Sequence, residues 1–196
     1  EPNFSMPIVL EIDGKEYKFK LDTGFTGNFI IPYSESLDFS KYNALILEGG
    51  LFQTIHSTAV GVESYYEKIP VTFAGQNFES KLNVSTSIKA QNIGISFIKN
   101  FDWLIDYNNN KVYVKRNQNK MESTFNRKVS YYAKASDDQL TVVVKEKSQT
   151  RFQLGDKIKT VNGQKVTAEN NCELQDLLNK TEDWNTLQLD VISNQK

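Results

Sequence analysis

The chain has 196 residues, 39% hydrophobic and 12% aromatic, enough apolar material for the core of one domain or two small ones. Its 23 basic and 24 acidic residues leave a formal net charge of −1, so no overall field gathers nucleic acid or an anionic membrane. No run approaches the roughly 18 apolar residues of a transmembrane segment, and none is expected. The single cysteine, Cys172, excludes an intrachain disulfide and a thiolate metal cluster. The single histidine, His56, sits in a polar Thr-Ile-His-Ser-Thr run and reads as an ordinary loop residue, so no metal or other cofactor is expected. The chain opens Glu1-Pro2-Asn3 without methionine or signal sequence, as a processed product or an excised piece would.

The first half reads as all-β. Ile8, Leu10 and Ile12 alternate up to Asp13-Gly14, a two-residue hairpin signal, and Tyr17, Phe19 and Leu21 alternate on a return strand that ends at Asp22. A second hairpin runs through Ile69–Phe73, turns at Ala74-Gly75 and returns through Phe78 to Leu82. A third joins Trp103–Tyr107 to Val112–Val114 across Asn108-Asn109-Asn110. Residues 14–22 and 75–83 share the pattern Gly, two residues, aromatic, two residues, Lys-Leu-Asp/Asn, which suggests a reused unit. The polar, non-alternating stretch 117–128 reads as a linker. Beyond it, strands are expected at Leu140–Val144, Lys157–Val161 and Leu187–Val191, with a hairpin turn at Asn162-Gly163. A helix is expected over 169–178, with Cys172, Leu174, Leu177 and Leu178 on one side.

A carboxylate closing a strand and followed by Thr and Gly is presented by a tight turn: Gly permits angles closed to other residues, and a Thr hydroxyl can brace the loop. Alone, Leu21-Asp22-Thr23-Gly24 would serve equally as a plain strand-to-loop turn. Its surroundings add to it. The stretch from Phe19 through Asp22-Thr23-Gly24-Phe25-Thr26-Gly27-Asn28 to Pro32 resembles the catalytic loop of retropepsin-like aspartic proteases. Asn92-Ile93-Gly94 and the residues to Phe101 resemble that family's hydrophobic-Gly motif and short helix, and Leu104–Tyr107 with Lys111–Val114 its final hairpin.

The resemblance spans residues 5–115 in the family's order. It implies a closed β-barrel in a mainly β protein, with residues 1–116 as the protease domain, Asp22 as the catalytic aspartate, and Thr23 and Gly24 holding its loop. Ile93-Gly94 would be the structural loop beneath the catalytic turn, and Phe25 would shape the substrate pocket. Gly49-Gly50-Leu51, before a strand-like Phe52–Val60, falls either at the family's mobile flap, against substrate, or at a surface turn. Two positions depart from the pattern. Phe25 stands where Ala or Ser is common, and Asn92 where a second apolar residue is usual.

Aspartic proteases use two carboxylates sharing one proton, because both cannot ionise at short range. This chain has one Asp-Thr-Gly, the repeat's counterpart of Asp22 is Asn83, and Asp106 falls in the final hairpin. The second carboxylate is therefore expected from a homodimer partner or from a homologous half upstream in a longer chain.

The C-terminal residues 129–196 resemble a PDZ domain, a small β-rich fold with one helix. Phe152-Gln153-Leu154-Gly155-Asp156-Lys157-Ile158 through Val161-Asn162-Gly163 follows its Gly-Asp and Asn-Gly stretch. Such domains add an extended peptide to a sheet edge. The carboxylate-binding loop would lie near Val129–Tyr132, where the usual Gly is absent, so chain-end binding and a structural or docking role both stand open. The resemblances together imply an aspartic endopeptidase acting on peptide or protein substrates, in an exported bacterial protein. The alternative is a non-catalytic peptide-binding or scaffolding protein that retains both folds.

Overall fold

A computed structural model describes residues 6–53, 58–125 and 130–193, with backbone alone for 51–53. His56, residues 126–128 of the expected linker, and Val129 lie outside the described residues. The chain is mainly β and divides into two compact units, Glu1–Leu45 with Ser64–Phe125, and Ile46–Glu63 with Asn126–Lys196.

The elements of the first half are β1 (Ile8–Ile12), β2 (Lys15–Asp22), β3 (Phe29–Pro32), β4 (Ala44–Gln53), β5 (Thr58–Phe73), β6 (Gln76–Ser85), β7 (Asn92–Gly94), α1 (Ile95–Ile98), β8 (Phe101–Asp106) and β9 (Lys111–Arg116). In the first unit, β1 and β2 pair antiparallel across Asp13-Gly14, whose φ angles of 51° and 77° are the left-handed pair that a tight primed turn requires. Ala74-Gly75 repeats this at 50° and 73° between β5 and β6. Beyond each hairpin the return strand makes a parallel pairing, β2 with β7 and β6 with β3, while β3 runs antiparallel to β7. The likeness between 14–22 and 75–83 thus has a structural counterpart.

The order β1-β2-β7-β3-β6-β5 closes on itself, because Glu11 and Ile12 of β1 pair with Thr72 and Val71 of β5. Closure into a six-stranded barrel leaves no open edge along that path. Ile8, Leu10 and Ile12 point inward while Val9 and Glu11 point out, as strand alternation requires. Aromatic rings fill the interior. Phe29 lies 4.5 Å from Phe97 of α1, Phe97 lies 5.1 Å from Phe101, and Phe73 lies 5.3 Å from Phe101. Strands β8 and β9 form a separate two-stranded sheet that carries Phe101 and Trp103 onto this cluster.

The second unit contains β10 (Tyr131–Ser136), β11 (Gln139–Glu146), β12 (Lys157–Val161), β13 (Gln164–Lys165), α2 (Asn171–Lys180), a 3-10 turn at Trp184–Thr186, and β14 (Leu189–Ile192). β11 is its central strand. It pairs with β10 along one side, and on the other with β12 at Leu140–Thr141 and with β4 at Val144–Glu146. Tyr131, Phe152 and Trp184 pack ring on ring over Leu140, Ile158 and Leu178. Helix α2 starts two residues later than expected and faces differently. Asn171, Leu174 and Leu178 are buried on one arc, whereas Cys172 is exposed and Leu177 is 41% exposed. The spacing 171, 174, 178 keeps one face of a 3.6-residue helix, and positions 172 and 177 fall off it.

Candidate functional site

β2 ends where its inward alternation stops. Phe19 is fully buried, Leu21 packs against the core, and Asp22 is half-buried at the strand end. The chain then turns. The Phe25 N–H donates to the Asp22 carbonyl at 3.2 Å, and the Gly24 N–H donates to Asp22 Oδ1 at 3.0 Å. A side-chain oxygen accepting from the residue two ahead is the Asx turn that favours Asp at such corners. Thr23 and Gly24 are exposed at the tip.

Beneath the loop, Leu21 pairs with Ile93 and Asp22 with Gly94 in the parallel β2–β7 ladder. Three hydrogen bonds tie the two loops together: Gly94 N–H to Asn28 O and Ile95 N–H to Phe25 O, both at 2.8 Å, and Ser96 Oγ to Thr26 O at 2.6 Å. The approach is close enough to need glycine. A Cβ on Gly94 would lie 2.2 Å from Gly27 O and 2.5 Å from Phe25 O, although its φ of −95° suits any residue. Ile93 and Gly94 therefore lie against the Asp22 turn. The Phe25 ring folds back onto its own loop, since a Cβ on Gly27 would meet Phe25 Cζ at 2.3 Å. Gly27 supplies the space that the bulky Phe25 takes.

Two further residues complete the arrangement, and the sequence reading did not give them these roles. Asn92 Nδ2 donates to Asp22 Oδ2 at 3.0 Å, so each carboxylate oxygen accepts one hydrogen bond. Asn92 had stood out only as a polar residue at an apolar position. Asn28 is 1% exposed; its amide donates to Ser80 Oγ at 2.7 Å and to Glu122 O at 3.0 Å, fixing the loop's exit into β3. An asparagine at the head of the apolar run Phe29-Ile30-Ile31 was the available signal.

Neither Asn83, the repeat's counterpart of Asp22, nor Asp106 lies with Asp22 in this network. Asn83 is buried in β6 opposite Ile30. Asp106 is occupied in its own hairpin turn, where the Asn109 side chain first and the Asn109 backbone N–H second hold its carboxyl below the usual range. Both hydrogen-bond partners of Asp22 are amides. Among the described residues no group of three or more Asp, Glu, His or Cys gathers as a metal site, and no helix is long and apolar enough to cross a membrane.

Gly49, Gly50 and Leu51 belong to the second unit and lie within strand β4. Gly49 pairs with Val144 and has φ +127°; a Cβ there would lie 2.1 Å from Val143 O. The side chain of Leu51 lies outside the described residues. In the same unit the outer edge of β10 is covered by α2. Ala133 N–H donates to Asn179 Oδ1 at 3.0 Å, Asn179 Nδ2 donates to Ala133 O at 3.1 Å, and Ala135 N–H donates to Gln175 Oε1 at 2.6 Å. These amide side chains take the edge hydrogen bonds that an added strand would use. Ser130 donates to Glu182 O and Tyr131 is buried, so both are held in the unit's own structure. No protein-family model matches the chain, and no curated protein matches its sequence.

Proposed function

We propose that this chain is one half of a retropepsin-like aspartic endopeptidase, followed by a PDZ-like domain. The observation that carries the reading is the mounting of Asp22, on a glycine turn braced from below by Ile93-Gly94 in a closed six-stranded barrel. Two donors on the two oxygens fix the orientation of the carboxylate that would take the water proton. In the reaction, water attacks the peptide carbonyl carbon. One carboxylate takes the water proton while a protonated carboxyl delivers its own to the carbonyl oxygen; the C–N bond then breaks as the amine is protonated. No covalent intermediate is required.

The second carboxyl comes from Asp22 of a second copy about a twofold axis, or from a homologous half in a longer chain. The PDZ-like domain serves a structural or substrate-docking role in this reading, because its β10 edge is already bonded by Gln175 and Asn179.

Cleavage of an unfolded protein substrate by the wild-type chain and by Asp22→Asn tests the proposal. Loss of cleavage in the variant is expected. Unchanged cleavage sinks it, and absence of cleavage in every assembly favours the peptide-binding alternative, which rests on the amide-only surroundings of Asp22. Mixing the two chains identifies the source of the second carboxyl. A homodimer loses activity as the square of the wild-type fraction, whereas a site completed within one longer chain loses it linearly.

A further inference from the structure

We infer that Asn92 is a positioning residue for Asp22, clamping the carboxylate plane from the side opposite Gly24. The functional part of this inference rests on the protease reading above. The torsion that rotates an Asp carboxylate is broad and soft, so one hydrogen bond to Oδ1 leaves Oδ2 free to swing. Asn92 removes that freedom with a 3.0 Å donor on Oδ2, matching the 3.0 Å Gly24 N–H on Oδ1.

The clamp is rigidly mounted. Asn92 pairs with Lys20 of β2 on one side and Ile30 of β3 on the other, and the preceding Gln91 carbonyl accepts from Lys20 N–H at 3.0 Å. The side chain therefore reaches Asp22 from a backbone that both neighbouring strands fix. An amide NH2 can only donate, so its contact with Oδ2 fixes the carboxylate's orientation without competing for the lone pairs that face the attacking water. An apolar side chain at position 92 provides no such contact, and the carboxylate would then sample orientations that do not point at the attacking water. Misorientation of a reacting group lowers turnover more than substrate binding.

The test uses the full chain with Asn92→Leu, which removes the donor in similar volume, and Asn92→Asp, which keeps the size but opposes the carboxylate. Unfolding in urea identifies which variants fold. The first readout is independent of proteolysis: the NMR shift of the Gly24 amide proton and its hydrogen exchange. Loosening of the carboxylate is expected to move that proton upfield and to speed its exchange about tenfold. The second readout is turnover, where kcat is expected to fall roughly 10- to 100-fold with KM within about threefold.

An unaltered Gly24 amide in both variants overturns the clamp. A shifted amide with unchanged kcat overturns the positioning role. If the wild-type chain shows no proteolysis in any assembly, the protease reading falls by itself, and the Gly24 amide alone decides whether Asn92 holds Asp22.

Discussion

Gly94→Ala isolates the contact that seats the Asp22 loop. The new Cβ would lie 2.2 Å from Gly27 O, 2.5 Å from Phe25 O and 2.6 Å from Phe25 Cδ1. Ordinary contact needs about 3.5 Å, so the Phe25–Gly27 backbone must retreat by roughly 1 Å. Two of the neighbours are main-chain carbonyls, and no side-chain rotation relieves them. Retreat stretches the bonds from Gly94 N–H to Asn28 O and from Ile95 N–H to Phe25 O, both 2.8 Å. Overpacking costs about 1–3 kcal/mol, and the two weakened hydrogen bonds add about 0.5–1.5 kcal/mol each, giving a loss of about 2–6 kcal/mol, centred near 4. With a urea slope of about 2 kcal/mol/M, the midpoint of the transition that unfolds the first unit falls by about 2 M. Gly75→Ala is the control. Its φ is +73° but no atom lies within 4 Å of the added methyl, so only the left-handed backbone is penalised, by about 1–2 kcal/mol. A Gly94→Ala midpoint no lower than that of Gly75→Ala would refute the argument from close approach.

Glu122 gives a pH-dependent test. Its carboxyl sits 2.8 Å from Lys81 Nζ and 3.1 Å from Lys99 Nζ, and these hydrogen-bonded ammonium groups, Lys81 first, hold it below its ordinary value of 4.5. A lowered folded-state value means that the stabilisation is complete above 4.5 and is lost as pH falls through the folded value. Wild type should exceed Glu122→Gln by about 0.5–1 kcal/mol at neutral pH, a modest gap because the side chain is 42% exposed. The gap should narrow as pH falls below 4.5 in urea titrations; an equal gap at neutral pH and well below 4.5 contradicts the assignment. In the second unit, Asn179→Ala strips Ala133 of its partners for both N–H and C=O. The expected cost is about 1–3 kcal/mol with faster exchange of the Ala133 amide, and unchanged stability would mean that water replaces Asn179 freely.

What the sequence disclosed follows the range of the interactions involved. The hairpins at Asp13-Gly14, Ala74-Gly75 and Asn162-Gly163 were legible because the left-handed residues that make a tight turn are its own members. The Asp22 turn was legible for the same reason, since Gly24 and Phe25 close it locally. The Asn92–Asp22 bond joins residues 70 apart, and no local pattern carries it. Asn92 was visible only as a polar residue out of place; which group it satisfied waited on the parallel pairing of β2 with β7.

Gly49-Gly50 shows the opposite case, a local signal with a non-local cause. Consecutive glycines suggest a bend, as a flap or a surface turn would have. Here Gly49 stands in a strand, and its missing side chain admits Val143 O, 2.1 Å from where a Cβ would be. The same letter serves conformational freedom at Gly75, backbone contact at Gly94, and both at Gly49, whose φ is +127°. Composition along the chain cannot separate the two uses, because the contacted atom belongs to another strand. Residues 46–63 consequently read as part of the first half, while their contacts group them with residues 126–196, to which β4 is joined through Leu47, Glu48 and Gly49 on β11. The Asp22 loop depends on the contact use of glycine as well. Its position is set from beneath by Gly94 as much as by its own Asp-Thr-Gly, so a turn motif without a matching close-approach glycine elsewhere in the chain would leave the carboxylate unsupported.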